Sequence, residues 1–99
     1  MSNVVEFVSF NLKKGVLVSD FLLEADKFNS EFLSSQKGYI SRKLIVDGEM
    51  WADSVLWETE EDVIKAYEIA DENAVAREYF SFMDGESVKV HFFSVERSY

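Results

Sequence analysis

The chain reads as an α+β domain of βαββαβ order, and three observations predict it. Four β-branched and aromatic runs are interleaved with two stretches of helical period. Asp47-Gly48 divides the middle two runs as a hairpin turn would, and Thr59 offers a helix cap directly after the third run.

Val4 to Leu12 is rich in β-branched and aromatic residues and ends at Lys13-Lys14-Gly15, so it is the first strand, closed by a turn. From Val18, the apolar positions Phe21, Leu22, Ala25, Phe28, Phe32 and Leu33 recur at three and four, with charged residues between them. That is the period of an amphipathic helix. Ser19 is its expected N-cap, and Gly38 supplies the exit after about Gln36. Tyr39 to Val46 and Glu49 to Trp57 form the second and third strands, joined by a type I′ turn at Asp47-Gly48. Thr59 and Asp62 resemble a capping box that opens the second helix, whose inner face carries Val63, Ala66, Tyr67 and Ala70. Asp71-Glu72-Asn73 interrupts it. Asn73 then caps a further turn or two bearing Ala76, Tyr79, Phe80 and Met83, and Ser87 to Val95 is the last strand.

Two crossovers around a hairpin give a ferredoxin-like four-stranded antiparallel sheet with the helices on one face. The first and last strands are apolar on both sides, through Val4, Val5, Phe7 and Val8 in one and Val90, Phe92 and Phe93 in the other. A half-solvated sheet alternates polar and apolar residues, so the second face calls for a cover. A second copy of the chain is the simplest one, and a homodimer with sheets packed face to face is the expectation.

Ninety-nine residues, taken as one domain over 1–99, bury only about two thirds of their unfolded surface, so core size is limiting. The absence of cysteine excludes disulfides, thiolate metal sites and a cysteine nucleophile. With 19 acidic against 10 basic residues and a net charge of −9, a nucleic-acid backbone would be repelled, so no nucleic acid is expected as a partner. No run approaches the roughly 20 apolar residues of a membrane span, and no leader-like pattern opens the sequence. A soluble, cytoplasmic protein with no membrane partner is the expectation. No phosphate loop, nucleophile elbow or dinucleotide fingerprint occurs, and no ligand spacing indicates a metal, so no cofactor is expected.

The chemistry-bearing residues are few. Trp51, Asp53 and Trp57 share one face of the third strand. Two readings of Asp53 stand open, a carboxylate in a pocket or a structural ion pair with Arg42, Lys43 or another basic strand residue. His91, the single histidine, would act as an acid-base partner of Asp53 if it faced the same cavity, and would otherwise be hydrogen-bonded at a dimer interface or sheet edge. Tyr67 and Asn11 offer a hydroxyl and an amide to a ligand, and the bland alternatives are rim packing and turn formation.

The βαββαβ order, Gly38-Tyr39, Asp47-Gly48 before Trp51-Ala52-Asp53, and Trp57-Glu58-Thr59 opening a helix resemble the antibiotic biosynthesis monooxygenase-like superfamily, the dimeric α/β barrels. The tail Phe80-Ser81-Phe82-Met83-Asp84 followed by Ser87-Val88-Lys89-Val90-His91 is similar to that of small members of it. The resemblance implies a cavity between sheet and helices lined by Trp57. It also implies cofactor-independent oxygenation of an aromatic or polyketide-like substrate, with His91 removing the substrate proton. From the residues themselves, His91 and Asp53 are the catalytic candidates, and Trp57, Trp51, Tyr67 and Asn11 the binding candidates. Two departures qualify the activity. Cofactor-free monooxygenases carry asparagine where this chain has Asp53, a poor oxyanion stabiliser when ionised, and haem-degrading members carry histidine near Ala66 and Tyr67. The alternative is a non-catalytic small-molecule-binding or stress-associated homodimer.

Overall fold

The computed structural model describes residues 2–99. Strands β1 (Val4–Phe10), β2 (Tyr39–Asp47), β3 (Met50–Trp57) and β4 (Lys89–Ser94) form one antiparallel sheet in the order β2-β3-β1-β4. Helices α1 (Val18–Glu31), α2 (Glu60–Ala70) and α3 (Ala74–Phe80) complete the fold, with short 3-10 turns at Leu33–Ser35 and Gly85–Ser87. The expected α+β ferredoxin-like arrangement is the observed one. Asn73 caps α3 by accepting from the amide of Ala76, and Thr59 caps α2 by accepting from that of Asp62.

Several local expectations need correction. β1 ends at Phe10, and Leu12 only bridges to Met83 across the chain. The residue before α1 is Leu17 and makes no side-chain cap, so Ser19 lies inside the helix instead of capping it. The hairpin turns on Gly48 and Glu49, with Asp47 still paired to Met50. Gly48 has φ 61° and, among the described residues, none other than glycine has positive φ, which is the pattern of a type II′ turn with glycine first, not type I′.

Register decides what each strand offers to the helices. In β1, Val4, Glu6, Val8 and Phe10 stand opposite Trp57, Val55, Asp53 and Trp51 of β3, and this set faces the helices. A bulge between Tyr39 and Ser41 shifts the parity of β2, so that Tyr39 and, three residues on, Arg42 both turn to the helix side. The core forms there from Phe10, Phe21, Phe28, Trp57, Val63 and Tyr79 among others. The opposite face presents Val5, Phe7, Leu56, Ile45, His91 and Phe93, with Phe93 52% exposed and Ile45 46% exposed.

Gly38 has φ 85°, and a Cβ there would run into the side chain of Asp62. Gly38→Ala is therefore expected to cost at least about 1–2 kcal/mol from the backbone alone. Gly85→Ala, at ordinary φ with open space around it, should be close to neutral. Urea midpoints of the two variants check this, and equal midpoints would refute it.

Candidate ligand cavity

The sheet and helices enclose part of a cavity of about 330 Å³, lined by apolar side chains with two carboxylates among them, Glu6 and Asp53. Phe28, Phe32 and Leu33 come from α1 and its exit, Val63, Ala66, Tyr67 and Ala70 from α2, and Val55 and Trp57 from β3. Val88 and Val90 close the side next to β4. The volume lies at the small end of ligand sites, and an engineered apolar cavity of about 150 Å³ already admits benzene, so this one suits about two fused rings.

Asp53 is spoken for on both oxygens. Arg42 Nε donates to Oδ1 at 2.7 Å and the Tyr79 hydroxyl donates to Oδ2 at 2.7 Å. The guanidinium also donates to the Ala25 carbonyl (3.0 Å), Asn29 Oδ1 (3.4 Å) and the Tyr79 hydroxyl (2.9 Å), and lies 5.3 Å from the ring centroids of both Phe28 and Tyr79. The two side chains are 7% and 8% exposed. Burial pushes the Tyr79 hydroxyl far up, with the Asp53 charge adding to it, so it remains a donor. Both readings of Asp53 hold in part, since it is paired with Arg42 and also lines the cavity. Asp53 meets the cavity as a compensated charge and is not a free base.

Glu6 is the other carboxylate, 6% exposed on central strand β1. Trp57 Nε1 donates to Oε1 at 3.0 Å and the Tyr67 hydroxyl donates to Oε2. Among the described residues no cation pairs with it. Burial raises the Glu6 carboxyl above the ordinary carboxylate range, the hydrogen bonds from Tyr67 and Trp57 pull it partly back, and the Asp53 charge raises it further. Burial and the neighbouring Glu6 charge hold the Tyr67 hydroxyl well above its usual range, so it too stays protonated.

The remaining predicted site residues part company. Trp57 and Tyr67 line the cavity, whereas Trp51 packs edge-on against Phe21 (5.0 Å, 69°) and does not. Asn11 is exposed past the end of β1, and its backbone, not its side chain, bonds to Ser87 and Asp84. His91 is opposite Phe7, on the face turned away from Asp53, where it stacks on Phe93 at 5.7 Å. The condition for a His91–Asp53 pair, a shared cavity face, is therefore not met. β1 and β4 carry apolar residues on both parities, so alternation gave no means of choosing the face of His91. The same double apolarity hides Glu6, whose one signal is that it is the single acid in the set Val4, Glu6, Val8, Phe10.

Among the described residues, no helix is long and apolar enough to cross a membrane, and no group of three or more ligand side chains could hold a metal. No protein-family model matches the sequence, nor does any curated protein sequence. Solved structures do match. A variant of SnoaB, a cofactor-independent oxygenase from Streptomyces nogalater, superposes with a TM-score of 0.78 at 11% identity, over 99% of this chain and 97% of that one. A candidate antibiotic biosynthesis monooxygenase from Bordetella bronchiseptica gives 0.71 at 17% identity, over 94% and 96%. A dimeric ferredoxin-like protein from an uncultured marine organism gives 0.66 at 12% identity, over 100% and 92%. At these identities the likeness establishes the shared ferredoxin-like fold.

Proposed function

We propose that the protein binds a small aromatic or polyketide-like molecule in the cavity between sheet and helices and oxygenates it without a cofactor, working as a homodimer. The observation that carries the binding reading is the 330 Å³ apolar cavity with a hydrogen-bonded polar cluster of Glu6, Trp57 and Tyr67 at its wall. The fold shared with SnoaB, itself a cofactor-independent oxygenase, supports the reaction class. The uncovered apolar sheet face carrying Phe7, Leu56 and Phe93, and the dimeric state of the marine protein of like fold, support the homodimer.

A panel of dihydroxynaphthalenes and anthrones tests this through quenching of tryptophan fluorescence and uptake of dioxygen. Saturable quenching and uptake above the buffer rate are expected, with Ala66→Phe, which fills the cavity, weakening binding at least tenfold. His91→Ala should leave uptake unchanged, since His91 lies on the other face. Absence of any saturable quenching would remove the binding reading. A second reading, a non-catalytic binding dimer, draws on the occupied oxygens of Asp53 and the distance of His91 from the cavity face. Binding without oxygen uptake would select it.

A further inference from the structure

We propose that Glu6 is the acid-base residue of the cavity, taking a proton from an uncharged bicyclic aromatic ketone or phenol, with Tyr67 and Trp57 as its positioning residues. The inference rests on the binding reading above and adds the ligand's chemistry and the group that acts on it.

Three elements converge on this one carboxylate. β1 supplies Glu6, β3 supplies the Trp57 indole at 3.0 Å, and α2 supplies the Tyr67 hydroxyl. Two donors aimed at two different oxygens fix the plane of the carboxylate, and fixed orientation is what a proton acceptor in an active site requires. Asp53, by contrast, already has Arg42 as counter-ion and Tyr79 as donor. Of the two acids at the cavity wall, Glu6 is the one that pairs with no cation among the described residues. A second anion would be repelled there, so aromatic carboxylates are disfavoured and a ligand that presents an acidic C–H or O–H is favoured.

The step balances without a co-reactant. The ligand's C–H bond α to its carbonyl breaks, an O–H bond forms on a Glu6 carboxylate oxygen, and the electron pair stays on the ligand as an enolate. In D2O the new O–H on Glu6 exchanges with solvent, and reversal then returns a deuteron to carbon. The test is anaerobic deuterium exchange at C1 of 2-tetralone, followed by NMR, with affinity read separately from tryptophan quenching. Wild type should accelerate exchange and Glu6→Gln should lose about 10²–10⁴-fold of it while binding within threefold of wild type. Undiminished exchange by Glu6→Gln overturns the assignment.

Tyr67→Phe serves as a second variant should Glu6→Gln misfold. The groups facing Glu6 are Tyr67 from α2, Trp57 and Asp53 from β3 and Arg42 from β2, while β4 presents Phe92 opposite it. Tyr67 is a donor that pulls the Glu6 carboxyl down. Its loss should move the acidic limb of the exchange rate to higher pH with little change in affinity, an effect that a packing role alone would not produce. An unmoved limb overturns the proposal. Binding of 2-tetralone without wild-type exchange overturns the role of Glu6 and leaves the binding reading intact. Failure of every bicyclic aromatic to bind overturns the binding reading itself. Tighter binding of the 2-aminotetralin cation, with no exchange of the ketone, assigns the carboxylate to cation recognition and overturns proton transfer.

Discussion

Arg42→Ala is expected to cost the fold about 3–5 kcal/mol, because it strands the Asp53 carboxylate inside the core with the Tyr79 hydroxyl as its one remaining donor. The guanidinium also satisfies the Ala25 carbonyl and lies over Phe28 and Tyr79, so the change removes a hydrogen bond and two ring contacts as well. In a domain of this size each kcal/mol lowers Tm by about 4–8 °C. Total stability is typically about 5–15 kcal/mol, so the variant should be marginal at room temperature. Urea denaturation followed by circular dichroism measures the loss, and a change below about 1 kcal/mol would show that the pair is not structural. Arg42→Met combined with Asp53→Leu should recover much of the deficit, since taking both charges away leaves none unpaired.

The second large effect concerns the open face of the sheet. In the proposed homodimer, Phe93→Glu would place one carboxylate from each protomer in an interface that repeats around a two-fold axis, so one substitution would be felt twice. The dimer dissociation constant should rise at least 100-fold, which corresponds to about 2.7 kcal/mol. Phe93 is half exposed in the single chain, so the fold should survive and circular dichroism should be unchanged. Sedimentation velocity over a concentration series reads the result. A wild-type chain that is monomeric at micromolar concentration, or a variant that dimerises as well as wild type, would rule out this face as the interface.

The fold was legible because its joints are written in local chemistry. Asp47-Gly48, Thr59 and Asn73 each mark an element boundary through hydrogen bonds with near neighbours, and such signals survive without knowledge of the rest of the chain. Asp53 beside Trp57 was equally visible, since both lie on one parity of a strand bounded by clear signals. What alternation could not supply was the choice of face in β1 and β4, where both parities are apolar. That ambiguity concealed Glu6 and left His91 as a candidate partner for Asp53 until the pairing Phe7 to His91 placed it across the sheet. The bulge after Tyr39 was likewise invisible, because nothing in Tyr39-Ile40-Ser41-Arg42 marks an extra residue. Without it, Arg42 and Tyr39 would be assigned to opposite faces.

The Glu6 carboxylate at the cavity wall also gives the fold a proton balance. With its carboxyl raised by burial, Glu6 holds a proton in the folded chain at pH values where the unfolded chain has already released it. Its contribution to stability is therefore fully present below the unfolded value and is lost as pH rises through the folded one. Above that point the buried ionised carboxylate carries a desolvation cost, and a ligand that offers it a hydrogen returns part of that cost. Occupancy and folding are thus linked through one proton. Glu6 itself contributes most to stability when it is protonated and unable to act as a base, and that contribution falls in the ionised state that could.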